Sequence, residues 1–530
     1  MMSHRSGSRR AGILVPLFSF PSSRSWGIGE IGDIEPITRW LKRAGHSVLQ
    51  LLPITEMPPG ESSPYGALSA MAIDPQFITL ADLEDFSEVG GEQALDTDAR
   101  GRLEWARRAP RIDYATLRPL KLDALRRAFA HFHAREWRSG TRRSAAFRVY
   151  IDQQRWWLDD YALFRALHAE HGETPWAMWP EPLRQRDPHA LAEARGRLAD
   201  AILFRQYMQW IANDQWSAAR NRAGDVALFG DLPFMVGGDS ADVWSRQHEF
   251  RLDGSIGVPP DAFSETGQDW GLPVYRWDVI EEGGFDWLRA RARRHVDLYD
   301  GYRVDHLVGF YRTFYRVHDT GETAFSPVGE SDQLALGERV LGVLRESGAE
   351  IVVEDLGTVP DFVRESVARL GLPGYKVLRW EREWHRDNQP FKDPRTYPPV
   401  SMATSGTHDT ESLRVWWETA PREERQAVLS IPSLLEHLVD GDVAEALAHP
   451  TMSPSMHEAL LLTLYASGSN LLSLPIQDIF GWTERINQPA TVSDWNWTWR
   501  LPWPADRMSM EPLAMERAKQ LKAWCERYNR

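Results

Sequence analysis

Three acidic residues stand where a strand is expected to give way to a loop. Asp305 lies two residues after Arg303, at the end of the apolar, extended-looking run Gly301–His306, and the chain bends back at Gly309. Glu354 closes the run Ile351-Val352-Val353, and Asp409 follows Ser405-Gly406-Thr407-His408. A carboxylate beside a fixed arginine stays ionised and aimed. Three carboxylates presented by three strands of one sheet point to chemistry at a glycosidic bond. Cleaving such an acetal with retention needs an ionised carboxylate as nucleophile and a protonated carboxyl as acid, about 5–5.5 Å apart. Arg303 suits Asp305 to the first role. Burial behind three apolar residues and near other carboxylates predicts a raised pKa for Glu354, which suits the second. Asp409 could grip sugar hydroxyls as the ring distorts, with His408 donating a hydrogen bond beside it. Taken singly, each acid also reads as a barrel-rim ion pair or a helix cap, Asp409 as the N-cap of a helix at Thr410–Leu413.

Each acid needs an element to hold it. From Phe285 onward the chain alternates: helix Trp287–Arg294, strand Gly301–His306, helix Leu334–Ser347, strand Ile351–Asp355, helix Asp361–Leu370, strand Tyr375–Trp380, strand Val400–Ser405. A helix through Glu411–Glu418, a final apolar strand Asn470–Pro475 and helix Glu511–Arg527 follow. Upstream, Gly12–Phe20, Val48–Ile54 and Val226–Val236 read as extended. About eight such runs, alternating with helices, predict a (β/α)8 TIM barrel with helical insertion and long active-site loops. That fold puts catalytic groups at the C-terminal ends of its strands. The predicted organisation is a barrel over residues 12–81 and 225–530, a mainly helical insertion of three to five helices over 82–224, and a flexible 1–11. In the insertion Trp157, Tyr161, Phe164 and Leu167 recur at helical spacing and read as core. The stretch Gly257–Trp270 is too long and irregular for a simple connector and reads as a lid loop. Tyr65, ending the Pro-, Gly- and Ser-rich loop Met57–Tyr65, reads as a ligand-stacking aromatic or as loop packing.

Composition narrows the classes. The chain has 530 residues and a net charge of -14, which argues against a nucleic-acid or anionic-membrane partner. Its single cysteine, Cys525, excludes an intramolecular disulfide and fits a reducing compartment. The 16 histidines show no HExxH-like spacing. The 24 tryptophans suit core packing, and also stacking against pyranose faces. Arg5, Arg9 and Arg10 precede the apolar run Ala11–Phe20, as in a short secretory signal. Pro16 interrupts that run and Pro21-Ser22-Ser23-Arg24 lacks a small-x-small cleavage pattern, so the run is read as a mature first strand. No 18-residue apolar stretch predicts a transmembrane helix.

The motifs Tyr302-Arg303-Val304-Asp305-His306, Val353-Glu354-Asp355-Leu356-Gly357 and Gly406-Thr407-His408-Asp409 carry a resemblance. They resemble the nucleophile, acid/base and transition-state-stabiliser segments of the amylomaltase, or 4-alpha-glucanotransferase, family (glycoside hydrolase family 77) of the alpha-amylase clan. Gly230-Asp231-Leu232-Pro233 is similar to that family's segment after barrel strand three. Val258-Pro259-Pro260-Asp261 through Gly267-Gln268-Asp269-Trp270-Gly271 is similar to its flexible active-site loop. Trp26-Gly27-Ile28-Gly29, Ser63-Pro64-Tyr65, Pro475-Ile476-Gln477-Asp478 and Asn487 before Pro489 extend the match from about Gly12 to Leu501.

The resemblance implies a retaining glucan transfer: Asp305 as nucleophile, Glu354 as acid/base and Asp409 as stabiliser, with Arg303 and His408 beside them. It implies Tyr65, Asp231, Gln268, Trp270 and Asn487 as substrate-binding residues, and no cofactor or metal. Its partners would be alpha-1,4-glucan donor and acceptor, not nucleic acid or membrane, on a cytoplasmic monomer or small homo-oligomer. The chain departs from the family in three places. Ala262 replaces a usual tyrosine, Asn487-Gln488-Pro489-Ala490 replaces an Asn-Thr-Pro-Gly pattern, and Asp74 stands where Asn is common. An alpha-1,4-glucan hydrolase and a non-catalytic glucan-binding barrel are the competing readings.

Overall fold

Among the described residues twelve strands appear in chain order: β1 (Arg10–Leu14), β2 (Val48–Gln50), β3 (Ala227–Leu232), β4 (Phe250–Val258), β5 (Gln268–Tyr275), β6 (Gly301–Val304), β7 (Thr313–Val317), β8 (Thr323–Ser326), β9 (Glu350–Val353), β10 (Gly374–Val377), β11 (Ser401–Thr404) and β12 (Leu471–Pro475). The computed structural model describes residues 8–259, 267–489 and 491–530. The expectations for Arg5, Pro260, Asp261, Ala262 and Ala490 lie outside the described residues.

Eight strands close a parallel barrel in the order β1-β12-β11-β10-β9-β6-β3-β2. The (β/α)8 architecture expected from the alternation is present. Strands β3, β6, β11 and β12 are buried along their whole length, as strands covered on both faces must be. Inside the barrel, Val48, Phe229, Val352, Val377, Met402 and Leu471 pack into one cluster. Each such side chain contributes about 1.5–3 kcal/mol by leaving water. A polar layer crosses the interior: Ser473 donates to Gln50 Oε1 at 2.6 Å and Gln50 Nε2 donates to the Tyr375 hydroxyl at 2.9 Å. The barrel closes where β1 pairs with both β12 and β2. Gly12 is required there, because a Cβ would lie 2.6 Å from the Val48 carbonyl oxygen.

Between β2 and β3 the chain is helical. Five helices of ten or more residues form, Thr97–Arg108, Tyr114–Phe132, Arg142–Glu170, Pro188–Arg197 and Ala199–Ala223, with two shorter ones. The short pair, Glu84–Glu88 and Glu181–Arg184, spans too few residues to display a period in sequence. Trp157, Tyr161, Phe164 and Leu167 are all buried, as core packing requires.

The stretch Gly257–Trp270 needs correction. Its ends are strand residues, not loop: Gly257 pairs with Asp269 and Val258 with Gln268 in an antiparallel hairpin. The hairpin belongs to a second sheet of order β5-β4-β7-β8. Apolar residues do alternate along both strands, at Phe250, Leu252, Ile256 and Val258 and at Trp270, Leu272 and Val274, but Gly254, Gly257, Gly271 and Pro273 give the stretch the look of a loop. Several predicted strands also stop early, Tyr375–Trp380 at Val377 and Gly12–Phe20 at Leu14, each followed by a helical turn. Among the described residues no helix is long and apolar enough to cross a membrane.

Candidate active site

The catalytic candidates sit where β3, β6, β9 and β11 end. In the barrel β6 lies between β3 and β9, with Arg303 opposite Asp231 on one side and Val352 on the other. The ladder continues one residue past β6 and β9: the Asp305 N–H donates to Leu232 O at 3.1 Å and the Glu354 N–H to Val304 O at 3.0 Å. Backbone pairing thus fixes both acids side by side at the C-terminal rim.

Arg303 is the hub. It is 4% exposed and its guanidinium meets three carboxylates. Nη1 donates to Asp231, and Nη2 donates to Asp305 Oδ1 at 2.7 Å and to Glu354 Oε2 at 2.8 Å. Two bonds to one nitrogen put those two oxygens no more than 5.5 Å apart, the sum of the pair, too close for the water that an inverting glycosidase seats between its acids. The His306 N–H also donates to Glu354 Oε2, at 2.8 Å. His306 makes that bond from a left-handed backbone, φ 42°, a conformation a non-glycine residue adopts at a cost of order 1 kcal/mol.

A second arm faces the first. Asn487 Nδ2 donates to Asp409 Oδ1 at 2.6 Å, and His408 Nε2 lies 3.3 Å from Asp409 Oδ2. The Asn487 N–H donates to His408 O at 3.2 Å, and Arg485 donates to the Asp409 carbonyl. Tyr65 joins the arms. Its hydroxyl donates to Asp231 Oδ2 at 2.8 Å and lies 3.1 Å from His408 Nε2, with its ring stacked on His408. Tyr65 thus packs against a protein ring, His408, and also lines the cleft.

The cleft between the arms holds about 340 Å³ and is lined by Tyr65, Arg303, Asp305, Glu354, Asp409 and Asn487, with Trp270 and Trp497 as aromatic walls. Asp231, expected as a substrate contact, does not line it. It is 2% exposed and lies behind Arg303 and Tyr65, so it acts on the cleft through them. Gln268 is also outside the lining, where its Oε1 accepts from Trp270 Nε1 at 3.1 Å and orients that indole against His306.

Electrostatics divide the acids. Burial raises Asp305 to about 8; Arg303 opposes this and the Glu354 charge adds to it. Burial alone would raise Glu354 too, but Arg303 and the His306 N–H outweigh it and hold Glu354 below its ordinary value. This reverses the expectation that Glu354 would be the raised acid in the free cleft. Asp231 is buried and Asp305 and Glu354 are half-buried at the cleft; the last two share Arg303 Nη2, so the proton they retain near neutrality belongs to the pair. Asp409 is held down at about 2: His408 and Asn487 overcome its burial. His408 is raised in turn by Asp409, against its own burial.

Sequence reading did not find Trp497, Arg485 or His306. Trp497 packs against both Tyr65 and His408 from a left-handed backbone, φ 62°. Nothing in its neighbourhood of the sequence signals that conformation. Arg485 gave one available hint, two residues before Asn487.

The sequence profile of the 4-alpha-glucanotransferase family matches residues 15–506. The 4-alpha-glucanotransferase of Thermus thermophilus is 34% identical over 509 residues, 93% of this chain and 95% of its own. That of Chlamydia pneumoniae is 31% identical over 522 residues, 96% of this chain and 94% of its own. Amylomaltase from Streptococcus agalactiae, solved in complex with acarbose, superposes with a TM-score of 0.81 at 26% identity, covering 98% of this chain and 99% of that one. A match over almost the whole length, on a barrel whose rim gathers Asp305, Glu354 and Asp409, establishes that the chain belongs to the 4-alpha-glucanotransferase family.

Proposed function

We propose that this enzyme moves alpha-1,4-glucan segments from a donor glucan to an acceptor glucan by retaining double displacement. The observation that carries the reading is Arg303 Nη2, which bonds Asp305 and Glu354 at once and so holds their two oxygens no more than 5.5 Å apart, as a retaining pair needs. Asp305 attacks the anomeric carbon and holds the glucosyl group. Glu354 protonates the departing oxygen and then, as base, activates the acceptor hydroxyl. Asp409, ionised and gripped by Asn487 and His408, accepts from sugar hydroxyls as the ring distorts. Tyr65, Trp270 and Asn487 hold the sugars, and Asp231 and Gln268 orient Arg303 and Trp270.

Attack requires the charge on Asp305 and the proton on Glu354, the opposite of the free cleft. Both acids share Arg303 Nη2, so transfer of one proton between them leaves the net charge unchanged. A leaving oxygen beside Glu354 favours its protonated form, and positive charge growing at the anomeric carbon favours ionised Asp305. The active enzyme is thus the singly protonated pair. We expect a bell-shaped pH dependence of kcat/KM on maltotriose. Above about 8 the pair loses its only proton and with it the acid; below the lowered Glu354 value it carries two protons and has no nucleophile. Glu354→Gln removes one member of the pair, so the residual activity should lose the alkaline limb. A residual profile unchanged in shape would refute the assignment.

Trp270, held edge-on against His306, narrows the entrance to water and offers an acceptor an aromatic wall. Incubation with maltotriose tests the transferase reading: we expect glucose together with a ladder of oligomers longer than the substrate. Shorter products alone would establish hydrolysis. We place the enzyme in the cytoplasm, a reading supported by its single, buried cysteine.

A further inference from the structure

A cavity of about 510 Å³ lies apart from the catalytic cleft, between the loop after β2 and the helices that follow it. Much of its wall is apolar, from Met57, Tyr114, Pro119, Leu122 and Leu125. Arg205, on helix Ala199–Ala223, also lines it and is 6% exposed. Among the described residues Arg205 donates no hydrogen bond; its ion pair with Glu56 is long, 3.9 Å from Nη1, and Glu173 attracts it from beyond ion-pair distance. Glu56 is already engaged: Oε1 accepts from Arg165 Nε at 3.0 Å and Oε2 from the Tyr161 hydroxyl at 2.5 Å. The other cations of the cavity are matched. Arg165 also bonds Glu173 at 2.9 Å, Lys121 bonds Glu30 at 2.7 Å, and Arg118 bonds the carbonyls of Pro58 and Glu61.

The Arg205 nitrogens are not among the fully enclosed polar atoms, so its N–H groups face the cavity and are open to an acceptor there. Burial lowers the Arg205 pKa. The planar fork of a guanidinium fits a carboxylate or phosphate through two parallel bonds. The volume is in the range of sites for small organic molecules, about 300–1,000 Å³, and exceeds what one inorganic ion fills.

We propose that this cavity binds a small organic oxyanion, its acidic head on Arg205 and its apolar body against Leu122 and Leu125. The loop that walls the cavity with Met57 and Ser62 carries Ser63 and Tyr65 into the catalytic cleft, so the occupant sits at the back of that loop. Thermal unfolding and calorimetric titration test it, with phenyl phosphate, benzoate, inorganic phosphate and maltose as probes. Phenyl phosphate and benzoate distinguish a phosphate from a carboxylate head, and at least one should bind and raise the unfolding temperature. Inorganic phosphate should bind at least about tenfold more weakly. Arg205→Met should weaken the organic anion by about 10- to 100-fold and leave the response to maltose unchanged. Without ligand, Arg205→Met should unfold at the same temperature as the parent or higher, because it replaces a buried, weakly paired charge by an apolar side chain and leaves Glu56 paired with Arg165. Leu122→Trp, which fills the cavity with Arg205 intact, should also abolish binding. The proposal fails if neither organic anion binds, or if binding survives both variants. It fails equally if free Arg205→Met unfolds several degrees lower, which would make Arg205 a structural partner of Glu56.

Discussion

Asp305→Asn should lower turnover of maltotriose by at least about 10⁴-fold while leaving the protein folded. The amide cannot form the glucosyl ester, and no neighbouring acid can replace it. Glu354 is tied to Arg303 and the His306 N–H, and Asp409 lies across the cleft, bound to Asn487. The fold should tolerate the change for a reason visible in the cluster. Asp305 is raised to about 8 by burial, so near neutrality the free protein already holds it largely uncharged, and asparagine resembles that form. Its side-chain oxygen can still accept from Arg303. The sign of the stability change follows. A carboxyl with a raised folded pKa adds stability that is complete below its unfolded value near 4 and is lost as pH climbs through about 8. The asparagine variant does not titrate, so above pH 8 it should be the more stable of the two. Initial rates of glucose release, with thermal unfolding at pH 6 and pH 9, check both halves. More than about a tenth of the parental rate in a pure preparation would remove Asp305 from the nucleophile's role.

That prediction was largely legible in sequence, and the reason is local. Asp305 and Glu354 each close a short apolar run, and a parallel strand buried on both faces has that appearance. The partners were not legible because the barrel brings them from afar. Asp231 and Glu354 meet Arg303 from 72 and 51 residues away, and Tyr65 from 238. The Arg-x-Asp spacing showed one of these ion pairs and concealed the others. Glu354 was misread for a related reason. Burial and nearby carboxylates were visible as causes of a raised pKa, but the offsetting N–H comes from His306 in a left-handed backbone. Histidine is enriched in that conformation yet seldom adopts it, so the residue type alone did not mark the position. The second sheet was missed although β4 alternates Phe250, Leu252, Ile256 and Val258: Gly254 and Gly257 in β4 and Gly271 and Pro273 in β5 read as loop punctuation. Its role at the site is nonetheless plain: β5 starts at Gln268 and presents Trp270 to the cleft.

Arg303→Met should be the more damaging change, because it removes the common partner of one buried acid, Asp231, and two half-buried ones, Asp305 and Glu354. With the guanidinium gone, Asp231, Asp305 and Glu354 face one another without a cation bonded to them. Breaking a buried ion pair by deleting one partner costs about 3–5 kcal/mol when the remaining charge stays ionised. The acids can avoid much of that cost by taking up protons, so the loss must depend on pH. Every carboxyl whose folded pKa rises makes the native state bind more protons than the unfolded chain, and stability then falls as pH rises. We expect the variant to approach the parent in stability near pH 5 and to lose most above pH 7. Turnover should fall by at least about 10³-fold throughout. Near pH 5, where the fold is retained, the nucleophile is protonated; at higher pH, where it ionises, the native state itself is weakened. Arg303→Lys separates charge from geometry. An ammonium restores one positive charge but not the fork that bonds Asp231 through one nitrogen and Asp305 with Glu354 through the other. It should recover much of the high-pH stability and little of the turnover. Unfolding temperatures of both variants from pH 5 to 9, beside kcat at each pH, distinguish the outcomes. A pH-independent loss would mean that Arg303 serves packing instead of charge, and recovery of turnover by lysine would mean that charge alone suffices.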